Sequence, residues 1–175
     1  MTPRPSLLAL WIATALVAAM IAVHYDDLPD RVASHFDAGG NVDGHSSKAG
    51  FALGILSIAA FDLFFFAALG LFLRRLPNHL INVPHRDYWL APERREATLV
   101  AMTDHMCWFG AVTQLLIAGV ALLSMRASLA PPDAPPVYDH WILLGCYLSY
   151  TAFWVLQLLR RFPRPGQTSP SAPAS

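Results

Sequence analysis

GFALGILSIAAFDLFFFAALGLFL, residues Gly50 to Leu73, is apolar throughout apart from Ser57 and the single carboxylate Asp62. A hydrocarbon core about 30 Å thick is crossed by about 20 helical residues at about 1.5 Å each, so this stretch reads as a transmembrane helix. Three further runs match it in character: Ser6 to Val23, Met106 to Met125 and Trp141 to Leu159. Composition agrees, because 55% of the 175 residues are hydrophobic and only 14% are charged, against about 25% charged in ordinary soluble domains. The reading is an all-α, multi-pass membrane protein: a bundle of four transmembrane helices over residues 1–162 with an ordered outer loop. The tail, 163–175, is rich in Pro, Ser and Ala and too poor in apolar surface to order itself.

The first run competes with a secretory signal peptide, since Arg4 precedes it and Ala18-Ala19 lie near its end. It exceeds the roughly 7–15 apolar residues of such peptides, which favours an uncleaved span.

Cations set the orientation. With four alternating helices, Arg4, Arg74, Arg75, Arg86, Arg94, Arg95, Arg160, Arg161 and Arg164 fall on one side, and only Arg31, Lys48 and Arg126 on the other. Short cytoplasmic loops retain Lys and Arg, so both termini are expected in the cytoplasm. The formal net charge is zero, which leaves no global field to recruit nucleic acid.

The outer segment 24–49 is rich in Asp, Gly, Ser and His. Gly39-Gly40 and Asp43-Gly44 are turn signals, so it reads as a compact polar cap. The second outer segment contains Ala130-Pro131-Pro132-Asp133-Ala134-Pro135-Pro136, a stiff spacer that cannot be helical. Between the second and third spans, Tyr88 and Trp89 have the character of the membrane interface. Pro92 suits a first helical turn, with Glu93 and Glu96 at the positive end of the dipole. A helix from Pro92 into the third span is expected, with Arg94 and Arg95 in reach of lipid phosphates.

Asp62 is the chemically notable residue inside a span. It lies about 16 Å from Leu73 at helical rise, and Thr14, Thr113, Gln114 and Thr151 count to about 12 Å from the same side. These five form a candidate intramembrane polar layer, which either fixes helix packing or carries a proton or ion. No metal or cofactor is expected: His24, His35 and His45 lack zinc-ligand spacing, and Asn41-Val42-Asp43-Gly44 lacks the first and last ligands of a calcium loop. No nucleophile has an evident base, so an enzyme is not expected. Cys107 and Cys146 read as small core residues on spans that place them too far apart to pair.

Leu28-Pro29-Asp30-Arg31-Val32-Ala33-Ser34-His35-Phe36-Asp37, then Gly40-Asn41-Val42-Asp43-Gly44 and Ser47-Lys48, resembles the bacterial membrane family called domain of unknown function 1648. The resemblance covers about residues 10–70. Asn82 to Arg95 resembles a subset of the same proteins. Pro29, His35, Phe36, Gly40, Asp43, Gly44, Ser47 and Lys48 carry the motif, and His45 departs from it where an aromatic is expected. The best-understood members are immunity proteins against the sporulation-delaying toxin, which have more spans. The resemblance implies the bacterial cytoplasmic membrane, recognition of an extracytoplasmic peptide or small ligand, and signalling to a cytoplasmic or membrane protein partner. Read from the residues alone, Gly40 and Gly44 permit positive φ, Phe36 can pack the loop onto helix ends, and Lys48 can snorkel at the outer boundary. The alternative function is a small transport or proton-linked protein using Asp62.

Overall fold

A computed structural model describes residues 4–131, 135 and 138–164. In chain order the elements are α1 (Pro5–His24), β1 (Arg31–Phe36), β2 (Val42–Ser47), α2 (Lys48–Arg75), a 3-10 turn (Asn78–Leu80), α3 (Arg86–Trp89), α4 (Pro92–Leu129) and α5 (Asp139–Arg161). α1, α2, α4 and α5 are each long and apolar enough to cross a membrane. The helical, four-span reading of the sequence therefore holds. The expected spacer over 130–136 and the tail beyond Arg164 fall largely outside the described residues.

α4 is the central helix, packed against α1, α2 and α5. α1 buries Ser6, Leu10, Ala13, Val17 and Ile21, a stripe at three- and four-residue spacing. Leu10 meets Leu63, Phe66 and Ala111, and Val17 meets Ala59 and Ile117. Small residues let the backbones approach: a Cβ added to Gly110 would run into the Phe66 ring, and one on Gly70 would lie 2.9 Å from Thr103. Large apolar side chains point the other way. Phe61 and Phe64 on α2 are 71% and 67% exposed, which suits lipid and not water.

α5 differs from the other three in burying no residue. Among the helices it leans chiefly on α4, where Leu143 sits against Gly119 and His105 pairs with Trp154.

The segment between α1 and α2, expected as a compact cap, is built on two strands. β1 and β2 form an antiparallel hairpin, with register shifts around His35. Its turn is organised by Asp37, whose backbone N–H donates to Asn41 O and whose Oδ1 accepts from the Asn41 N–H, each at 2.9 Å. Gly40 takes φ 81°, as a tight turn requires. Val32 closes this end of the bundle with Ile21, Phe51, Ala121 and Met125. The Ala33 N–H donates to Ser128 Oγ at 2.8 Å, so the last turn of α4 supports the hairpin.

The 38 residues of α4 extend about 57 Å, well beyond a bilayer core, and the helix begins at Pro92 as expected. The end opposite the hairpin is the basic end. There Ile81, Val83, Leu90, Leu99, Met102 and Phe162 form a second closed cluster.

Candidate functional site

The motif residues converge on the hairpin and the start of α2, where they divide into supports and an exposed pair. Ser47 is the N-cap of α2, its Oγ accepting from the Gly50 N–H at 3.0 Å. Lys48 follows it; its backbone N–H donates to Asp30 O, its Nζ to Asp26 O at 3.2 Å, and its ammonium lies 4.7 Å from the Tyr25 ring centroid. Lys48 thus ties the chain leaving α1 to the head of α2. Pro29, half-buried, lies in the same crossing. Phe36 stacks on His140 with centroids 6.4 Å apart, and the Trp141 indole donates to Ala38 O at 3.2 Å. The hairpin tip is thereby fastened to the head of α5.

Gly44 has a different role from the one expected. It lies within β2 with no positive φ, opposite His35, and a Cβ there would stand 2.8 Å from the His35 Cβ. Close approach, not turn geometry, demands glycine. It brings His35 Nδ1 within 2.5 Å of Asp43 Oδ1, and both side chains are largely open to the surroundings. Nearby, hydrogen bonds from Asn41 hold the Asp37 carboxyl below the usual carboxylate range. No group of three His, Cys, Asp or Glu converges as metal ligands among the described residues.

The intramembrane residues do not assemble into one layer. Thr14, Thr113 and Thr151 each donate back to the carbonyl four residues earlier on their own helix, at 2.9–3.0 Å. Thr113 also meets Tyr147 Oη at 2.9 Å. Asp62 and Gln114 are both buried, and Gln114 Nε2 donates to the carbonyl of Ala59, three residues before Asp62 on α2, at 2.8 Å. Asp62 Oδ2 and Gln114 Oε1 are left without a hydrogen-bond partner.

At the basic end the side chains expected among lipid headgroups are engaged within the protein. Arg95 donates to Asn78 Oδ1 and to Leu76 O, each at 2.9 Å, and so holds the end of α2. Arg94 donates to Tyr88 O at 2.9 Å with its guanidinium 4.0 Å from the Tyr88 ring. The Trp89 indole donates to Pro163 O at 3.2 Å and packs edge-on against Phe162. The partners of Arg95 and Trp89 are distant in sequence, and no local pattern announces them. Cys107 is buried, as expected; Cys146 is instead exposed on α5, and both are free thiols. His105 and Trp154, which clasp α4 to α5, escape the sequence reading; their only signal is an aromatic on one run and a histidine just before another.

These features define a four-span helical membrane protein capped at one end by a β-hairpin. Residues 11–60 match the family model described as Domain of unknown function (DUF1648), a segment that takes in most of α1, the hairpin and the first half of α2. No curated protein and no solved structure matches the chain.

Proposed function

We propose that the hairpin faces out of a bacterial cytoplasmic membrane, recognises a peptide or small ligand there, and signals through the bundle to a cytoplasmic or membrane partner without catalysing a reaction. Supporting the orientation is the excess of arginine at the opposite end. One observation carries the recognition role: His35 and Asp43 form an exposed pair on a hairpin whose packing is provided by other residues, Val32, Ala33 and Phe36. An exposed ion pair contributes little to stability, so the fold does not account for it. β2 also has an edge paired to no further strand among the described residues, and such edges accept extended peptides. The ligand class proposed is an envelope-active peptide, the kind of ligand implied by the sequence's resemblance to a family that includes immunity proteins.

The test is membrane abundance measured together with survival under envelope-active peptides. His35→Ala and Asp43→Ala should lose protection at normal abundance, whereas Lys48→Ala should lower abundance through its ties to Asp26 and Tyr25. Loss of protection strictly in proportion to abundance in all three would remove the recognition role.

The unpartnered oxygens of Asp62 and Gln114 favour a second reading, in which the pair holds a proton or cation in passage. Asp62→Asn separates the two. Loss of function with normal abundance would favour transport; retained function would make the pair a packing device.

A further inference from the structure

α4 and α5 leave two adjoining hollows between them, and Tyr150 lines both. The hollow at the basic end, about 450 Å³, is walled by Trp108, Phe153 and Trp154 and headed by Gln157, Arg160 and Arg161. The other, about 200 Å³, is almost wholly apolar and includes Leu115, Leu143 and Cys146. Counting along α5 at helical rise, Tyr150 lies about 16 Å and Leu143 about 27 Å below Arg161. The two hollows therefore form one amphipathic groove, charged at the membrane surface and apolar at depth.

Its floor is fixed. The His105 and Trp154 rings stack at 4.7 Å; His105 Nε2 lies 3.1 Å from Trp154 O, and the Trp154 indole donates to His105 O at 3.1 Å. Those groups are committed to the α4–α5 clasp, and the charged donors of this hollow are the two arginines, with Gln157 beside them. Arg74 is paired with Glu96, Arg86 with Asp87 and Arg126 with Asp139; among the described residues Arg160 and Arg161 have no carboxylate partner. Two unpaired guanidinium groups above an aromatic trough match a phosphate above an acyl chain. Guanidinium binds phosphate oxygens in bidentate fashion, and basic pockets between transmembrane helices hold anionic headgroups.

We propose that this groove seats one anionic phospholipid of the leaflet at the basic end, its phosphate on Arg160 and Arg161 and an acyl chain running past Trp108 and Phe153 into the apolar hollow. The site is separate from the hairpin, since none of its lining residues lies in β1 or β2.

Native mass spectrometry of the full chain, released from nanodiscs of equimolar phosphatidylglycerol and phosphatidylethanolamine, tests it. One phosphatidylglycerol per chain should be retained in preference to phosphatidylethanolamine. The paired change Arg160→Gln and Arg161→Gln should reduce that retention on the order of 25-fold, about fivefold for each basic residue near a membrane surface. Arg75→Gln, which removes a charge of the same sign from the same end outside the groove, should leave retention unchanged. Cys146→Trp keeps both arginines and fills the apolar hollow, so it should also reduce retention; circular dichroism checks that each variant remains helical. Equal retention of the two lipids, equal loss in Arg75→Gln, or unaltered retention in Cys146→Trp would overturn the proposal. So would displacement of the lipid by inorganic phosphate, which would make the site one for a free anion, or a lipid-free dimer, which would make it a contact between copies.

Discussion

His35 and Asp43 meet because the residue opposite His35 has no side chain, and the hairpin's motif residues differ in how far each can be read from sequence. Gly40 was legible: a Gly-Gly pair in a polar run signals a turn, and φ 81° is its fulfilment. Gly44 is required for a different reason, because a sequence does not say whether a glycine serves its own backbone or a neighbour's side chain. Asp37 reads in the sequence as one carboxylate among several, yet it organises the turn. Its pKa lies below the ordinary value because Asn41 donates to the ionised carboxyl, so its contribution is present above the usual carboxylate range and is lost as pH falls through the lower folded value. In an acid titration followed by NMR, the Asn41 amide proton should move with the Asp37 carboxyl, with a midpoint below that of an ordinary aspartate. A midpoint at or above the ordinary value would mean the turn is held otherwise.

Among the elements, the four spans were legible because a continuous apolar run of bilayer length satisfies its backbone and buries its side chains best as a helix in lipid. The hairpin was not. Val42-Asp43-Gly44-His45-Ser46-Ser47 has few strand-forming residues, and part of the apolar surface that holds β1, Ala121 and Met125 on α4, lies far away in sequence. The hydrogen bonding of the polar residues within the spans was hidden for a related reason. Counting along helices gives depth but not rotation, so Thr14, Thr113 and Thr151 share the depth of Asp62 without meeting it. Helix contact itself depends on small residues, and this can be tested on one pair of glycines. Gly110→Ala drives a Cβ into the Phe66 ring near its attachment and should destabilise the α2–α4 contact by about 1–3 kcal/mol, read as a lower unfolding temperature in detergent. Gly54→Ala meets nothing within 4 Å and should be neutral or slightly stabilising. Equal melting of the two variants would show that α2 and α4 do not depend on close approach at Gly110.

For the whole molecule, the hairpin and the arginine-rich segments lie at opposite ends of the bundle, and that separation was readable from the alternation of spans and cations. α5 joins the two ends at the edge of the fold. Its head is fastened to the hairpin through His140 and Trp141, and its foot ends in Phe162 beneath Trp89. A ligand that displaced the hairpin tip would therefore act on the helix least held by the core, which is the route a signal would take. This role requires the hairpin to face out of the cell, and the direct measurement is cysteine labelling. In a Cys107→Ser, Cys146→Ser background, Ser34→Cys on the exposed hairpin and Glu93→Cys at the start of α4 are treated with a membrane-impermeant maleimide on intact cells. Ser34→Cys should label at once and Glu93→Cys only after lysis; labelling of Glu93→Cys on intact cells, with Ser34→Cys protected, would invert the topology and contradict recognition at the outer face.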